Sequence, residues 1–274
     1  MRLQEALAKA TRPLLFGMVH VRALPGTPGN TMSLERIAQI AVEEAKTYAS
    51  YKLDGVVVEN MHDLPYIQGR LLSPETTAYM TRIGLEVKRA LGDTNCLFGV
   101  QILAGGNKQA LAVAQTCGFD FIRCEGFVFS HVADEGWMDS CAAELLRYRR
   151  AIGAENVAVF ADIKKKHCAH SVTSDVDICD TAKAAEFFKS DGIILTGKAT
   201  GEVPSLEELR AVRKATRLPI LMGSGVSKEN VQDFAKSGAD ALIIGSEFKV
   251  DGDWSKELDC QRIEAFMTAF AKIE

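Results

Sequence analysis

Short apolar, β-branched runs recur along this chain, and each is followed by a stretch in which apolar residues return at helical spacing. That alternation is the signature of a parallel sheet, because parallel neighbours need a crossover and a helix is the usual one. The predicted strands are 14–19, 55–59, 97–102, 119–124, 157–162, 192–196, 219–222 and 241–244, continuously apolar as strands covered on both faces are. The predicted helices are 33–52, 74–91, 107–117, 139–152, 180–190, 205–216, 228–237 and 255–272, several opened by capping residues such as Ser33, Ser205 and Ser227, and one by Ser73 with Pro74 behind it. Eight parallel strands with eight helices imply one α/β domain over 1–274, a closed parallel (βα)8 TIM barrel, with 1–13 as an N-terminal helix leading into the first strand.

The 274 residues suit one such barrel, and 47% apolar with 25% charged residues is the balance of a soluble globular chain. Lys and Arg number 32 against 36 Asp and Glu, a net charge of −4. No global field gathers nucleic acid, so an anion has to be bound locally. No apolar run is long enough for a membrane span, and the first 15 residues lack the apolar core of a secretory signal. The expected setting is cytoplasmic, with organellar import left open. Seven cysteines without a Cys-x-x-Cys spacing indicate neither a disulfide framework nor a zinc ribbon. Self-association into a homo-oligomer stays open, since nothing here specifies a symmetry.

Loop lengths say where function belongs. The helix-to-strand links are short, whereas the strand-to-helix loops 20–32, 60–73, 125–138 and 163–179 are long. In a barrel all the long loops emerge on the carboxyl-terminal rim, where active sites of this architecture are built. Two glycine-bearing turns follow the last two strands there: Gly223 and Gly225, then Gly245-Ser246. Glycine lets backbone N–H groups approach an anion closely, so these turns are read as a phosphate cradle of the kind found in ribulose-phosphate-binding barrels. Glycines that only turn the chain are the alternative.

Side chains alternate faces along a strand, so the apolar parities Phe16-Met18, Val57, Phe121 and Ala158-Phe160 run on into His20, Glu59, Arg123 with Glu125, and Asp162. If those parities face inward, His20, Glu59, Gln101, Arg123, Glu125, Asp162 and Thr196 converge on one pocket. Arg123 with Glu125 is equally readable as a structural ion pair. The segment DIKKKHCAH (162–170) adds lysines, two histidines and a thiol. A lysine there can hold an anion or, if desolvated, condense with a carbonyl; anion binding is the reading taken. The spacing of His167, Cys168 and His170 matches no structural zinc pattern. No cofactor is required, although a divalent metal held by Glu59, Asp162 and a phosphate is chemically compatible.

The runs GMVHVRALPGTPG (17–29), GVVVENMHDLPY (55–66), ADIKKKHCAH (161–170), TGKATGEVPSLEELR (196–210), GSGVSKENV (223–231) and IIGSEFKVDG (243–252) together resemble the BtpA/SgcQ family of predicted TIM-barrel proteins. The matching positions are His20, Glu59, Asn60, Asp63, Asp162, Lys166, His167, Thr196, Lys198, Gly223, Gly225, Gly245 and Ser246, with Lys164 and Lys165 as local variants. QILAGGN after the third strand and RCEGFVFSHVADEG after the fourth depart from the pattern, both on the rim. The resemblance implies a link with photosystem I biogenesis in one setting and with sugar-utilisation gene clusters in another, and no fixed mechanism. The expectation is an enzyme (isomerase, lyase or nucleosidase-like) for a small phosphorylated sugar or nucleoside-type metabolite. His20, Glu59, Asp162, Lys166 and His167 would do the chemistry, and Asn60, Asp63, Gln101, Arg123, Glu125, Thr196, Lys198 and the glycine turns would bind. The alternative is a non-catalytic assembly factor.

Overall fold

The computed structural model describes residues 1–92, 94–197 and 203–273. In chain order the elements are α1 (Arg2–Lys9), β1 (Leu14–His20), α2 (Leu34–Ser50), β2 (Gly55–Glu59), α3 (Pro74–Leu91), β3 (Leu97–Gln101), α4 (Asn107–Cys117), β4 (Phe121–Cys124), β5 (His131–Ala133), β6 (Gly136–Met138), α5 (Ala142–Ala151), β7 (Ala158–Asp162), β8 (Cys168–Ala169), α6 (Ile178–Phe187), β9 (Gly192–Leu195), α7 (Leu206–Ala215), β10 (Ile220–Met222), α8 (Val231–Lys236), β11 (Ala241–Ile244) and α9 (Cys260–Phe270). Strands β1, β2, β3, β4, β7, β9, β10 and β11 close into a parallel barrel in that order, β11 pairing back onto β1. This is the expected TIM barrel. Among the described residues no helix is long and apolar enough to cross a membrane.

Two long rim loops differ from expectation. Residues 125–138 contain the β5–β6 hairpin, and β8 from the loop after β7 adds to β5, making a small antiparallel sheet. The helix expected from 139 begins at Ala142. Strands of two or three residues are too short to leave a period-two pattern in a sequence.

The barrel interior shows why the strands keep their register. Phe16 lies opposite Gly55, Phe121 opposite Gly99, and Phe160 opposite Gly192 on neighbouring strands. The rings meet edge to face, with centroids 5.4 Å apart for Phe16 and Phe121 and 5.7 Å for Phe121 and Phe160. A Cβ on Gly99 would sit 2.4 Å from the Phe121 ring, and one on Gly192 would sit 2.1 Å from that of Phe160. Each ring therefore occupies the space its glycine leaves empty. Alternate residues such as Leu15, Val58, Val100 and Ile122 pack outward against the helices. Leu3 of α1 is fully buried in the inner cluster, so this helix plugs the amino-terminal mouth.

A second device repeats at that mouth. Asp54, Asp120, Asp191 and Asp240 stand just before β2, β4, β9 and β11, and each carboxylate accepts a hydrogen bond from a backbone N–H of the preceding barrel strand: Leu15, Phe98, Val159 and Ile220 at 2.7–2.8 Å. Each is also met by an arginine: Arg12, Arg2, Arg149 and Arg213. The four stitches tie strands in pairs on the face devoted to stability. Gly192→Val is expected to destabilise the protein by about 1–3 kcal/mol through overpacking. Asp191→Ala is expected to cost about 1–3 kcal/mol by leaving the Val159 N–H unpaired. Urea denaturation checks both, and unchanged midpoints would contradict the packing described.

Candidate functional site

Parity carries the inner faces of the strands into a polar rim. Register sets His20 beside Glu59 and Glu59 beside Gln101, so three strands deliver one row of side chains. Arg123, one inward step beyond Phe121, and Asp162, one beyond Phe160, extend it around the barrel. All five are buried. They line a cleft with two adjoining halves that share Glu59, Met61, Arg123 and Lys166.

The first half is the glycine side. Gly223, Ser224, Gly225 and Val226 after β10 and Gly245-Ser246 after β11 form its wall, with His20 facing them. A Cβ on Gly223 would fall 3.5 Å from the guanidinium carbon of Arg123, and one on Gly245 would fall 3.3 Å from the His20 ring. Gly225 has φ of 66°, a left-handed conformation that favours glycine. Among the described residues the backbone N–H groups of Gly225 and Val226 have no acceptor in the protein. The Arg123 side chain donates from Nε to Asp162 at 2.7 Å, leaving its terminal nitrogens without a protein acceptor among the described residues. These are donors without acceptors, converging on one space.

The second half is bounded by Tyr66, Gln101, Asp162, Lys165 and Trp254, together with Asp134 and Glu135 from the β5–β6 hairpin. Here the pairing differs from the sequence reading. Arg123 pairs with Asp162 rather than Glu125, and Glu125 pairs with Lys165 at 3.1 Å. Glu125 also accepts from the Gly105 N–H at 2.7 Å. Burial opposes its ionisation, yet Lys165 and this N–H hold its carboxyl below the usual carboxylate range. Burial raises Glu59 and Asp162 above that range, against the pull of Arg123. Among the described residues three buried acceptors lining this half, Oε1 of Gln101, Oδ1 of Asp162 and Oε2 of Glu135, have no hydrogen-bond partner.

His20 is neutral, because burial and then the charge of Lys249 push its pKa far down. Its Nδ1 lies 3.1 Å from the carbonyl oxygen of Trp254, which can only accept, so Nδ1 carries the proton. Nε2 therefore presents a lone pair, 3.8 Å from Oε2 of Glu59. Lys166 lines both halves, with its backbone N–H donating to Thr196 Oγ1 at 3.2 Å. Burial and the neighbouring Arg123 bring its amine down to about 8.

The remaining residues sort by what they touch. Asn60 and Asp63 stand off the cleft and hold its loops: Asn60 accepts from Leu103 N–H at 2.7 Å and donates to Asp63, which accepts from Leu24 N–H at 2.8 Å. Thr196 accepts from the Lys166 N–H, and His167 is an exposed member of the second half. Lys198 lies outside the described residues. Lys165, Tyr66 and Trp254 carried no distinguishing sequence signal, Lys165 being one of three consecutive lysines. Ser224 could have been read from its place between the two glycines. Among the described residues no group of three or more His, Cys, Asp or Glu is arranged to hold a metal ion.

The BtpA family model matches residues 11–272. The chain belongs to the BtpA family. An uncharacterized mitochondrial protein of Caenorhabditis elegans is 52% identical over 95% of this chain and 94% of its own. The photosystem I biogenesis protein BtpA of Synechocystis is 32% identical over 94% of this chain and 88% of its own. Among solved structures, the (S)-3-O-geranylgeranylglyceryl phosphate synthase of Thermoplasma acidophilum superposes with a TM-score of 0.62 at 13% identity, covering 99% of this chain and 96% of that one. The thiamine phosphate pyrophosphorylase of Pyrococcus furiosus gives 0.60 at 14% identity, covering 95% and 96%. Such likeness carries the fold alone.

A half-buried ammonium without a close counter-charge, as Lys166 carries, costs stability. Below about pH 8 Lys166 is charged in both folded and unfolded chains, and the cost is complete; between 8 and the ordinary 10.5 only the unfolded chain keeps the proton, and the cost fades. Lys166→Met is therefore expected to raise the thermal midpoint by a few degrees at neutral pH, with a gain that shrinks as pH rises through this window. A gain independent of pH would show that the amine is not desolvated as described.

Proposed function

We propose that this protein is an enzyme acting on a small phosphorylated sugar or nucleoside-type metabolite. The observation that carries the reading is a set of donors with no acceptor among the described residues: the N–H groups of Gly225 and Val226, and the terminal nitrogens of Arg123 beside Gly223. Neutral sites do not leave backbone and guanidinium donors aimed at one buried space, whereas a phosphate accepts from several at once. Arg123, Gly223, Gly225, Gly245 and Ser246 bind the phosphate. Glu59, Asp162 and the lone pair of His20 then stand beside the rest of the molecule for proton transfer, the shared requirement of isomerisation, lyase-type cleavage and glycosidic cleavage.

This reading needs no cofactor. A divalent cation at Glu59 and Asp162 would have to share Asp162 with Arg123, which already donates to it. The setting is the cytoplasm or, as the name of the worm relative says of that protein, mitochondria. The name of the Synechocystis relative favours a second reading, a non-catalytic assembly factor. That role leaves the donors and the buried acceptors that have no partner among the described residues without a purpose.

Thermal denaturation with inorganic phosphate, sugar phosphates and nucleotides tests the site. Ligand at about 100 times its Kd adds about 2.7 kcal/mol of stability to the native state. A shift is expected with phosphate-bearing compounds and not with the parent sugars. Ser246→Glu, which brings a carboxylate to the cradle without altering a glycine, is expected to abolish it. A flat response from the folded protein would move the balance to the assembly reading.

A further inference from the structure

Every carboxylate of the inner rim faces a partner of its own: Glu59 faces His20, Asp162 holds Arg123, and Glu125 holds Lys165. Lys166 is left over. Its side chain lines both halves of the cleft, yet among the described residues no carboxylate lies within the 4.0 Å ion-pair distance of its ammonium. Its backbone is pinned to Thr196, so the amine projects from a fixed point. Burial and Arg123 hold this amine near 8, which leaves an appreciable fraction unprotonated at neutral pH. A lysine kept only for anion binding gains nothing from losing its charge; a nucleophilic amine requires it.

The second half of the cleft says what accompanies the electrophile. Gln101 Oε1 and Asp162 Oδ1 are buried acceptors with no donor among the described residues, and both residues line this half beside Lys166. A ligand that satisfies them brings hydroxyl hydrogens.

We propose that Lys166 forms a Schiff base with the carbonyl carbon of a phosphorylated hydroxy-aldehyde or hydroxy-ketone, whose hydroxyls donate to Gln101 and Asp162. The proposal rests on the phosphate reading above, since the glycine turns hold the other end of the same molecule. The Nζ lone pair forms the C–N bond, and the carbonyl π pair moves to oxygen, which takes up a proton. The carbinolamine then loses that oxygen as water, protonated by the Glu59 carboxyl, whose hold on its proton burial strengthens, and the C=N bond forms. Both amine hydrogens are accounted for in the water released, Glu59 regains its proton, and nothing is oxidised or reduced.

Borohydride reduction tests it, by converting the imine to a stable secondary amine. The full-length protein is mixed with dihydroxyacetone phosphate, or separately with pyridoxal 5′-phosphate as a phosphorylated aldehyde, then reduced and mapped by peptide mass spectrometry. The expected result is one adduct per chain, on Lys166. It is absent from Lys166→Met and from Lys166→Arg, both shown to be folded by circular dichroism, and it forms about tenfold more slowly with inorganic phosphate present at about ten times its Kd. No adduct on Lys166 with either probe, while phosphate still raises the thermal midpoint, overturns the proposal and leaves the phosphate site standing. Labelling that persists undiminished in Lys166→Met overturns it too. An adduct on Lys166 that phosphate neither slows nor accompanies with any stabilisation supports the Schiff base and removes the phosphate reading.

Discussion

Three phenylalanine rings fill the middle of this barrel, and they fit only because the residue across from each is glycine. The constraint is steric and leaves no slack: a Cβ at any of these glycines would lie within 2.1–2.5 Å of the facing ring. Everything on the rim depends on it. A slip of one residue in any of these strand pairs would break a ring–glycine match and turn the next side chain in line away from the cleft. His20, Glu59, Arg123 and Asp162 therefore share a pocket because the layer beneath them is locked.

Above that layer the low-dielectric interior forces charges to be matched. Asp162 Oδ2 holds Arg123 at 2.7 Å, and Glu125 is secured by Lys165 and by the Gly105 N–H. These bonds do two jobs. They offset the burial of the charged groups, and they orient what is left over: the outer nitrogens of Arg123 and the second oxygen of Asp162. The cleft is a set of paired groups in which selected atoms have no partner among the described residues. The amino-terminal mouth contrasts with this, for there Asp54, Asp120, Asp191 and Asp240 use their carboxylates on backbone N–H groups and arginines.

Much of this was legible in the sequence because alternation is a local property. The parity Phe16-Met18-His20, or Phe121-Arg123, reads directly once a strand is assigned, and so do the glycine turns at 223–225 and 245. Partner choice was not legible. Arg123 stands two residues from Glu125 and 39 from Asp162, and it bonds the distant one because β4 and β7 are hydrogen-bonded neighbours. Asn60 and Asp63 look like binding residues in a motif, but they are occupied with the Leu103 and Leu24 N–H groups, a fact that depends on loops meeting in space. Lys165 and Lys166 are adjacent and chemically identical, yet one is paired with Glu125 and the other is not.

The sequence by itself determined the repeating strand and helix, the barrel they form, the rim on which polar residues gather and the glycine turns after the last two barrel strands, since each follows from local spacing and steric freedom. Only the tertiary structure decided the short sheet of β5, β6 and β8, the pairing of each charge and the atoms left without partners. Those outcomes depend on distances between segments far apart in the chain, which fix the local dielectric and the nearest counter-charge and are absent from any local pattern.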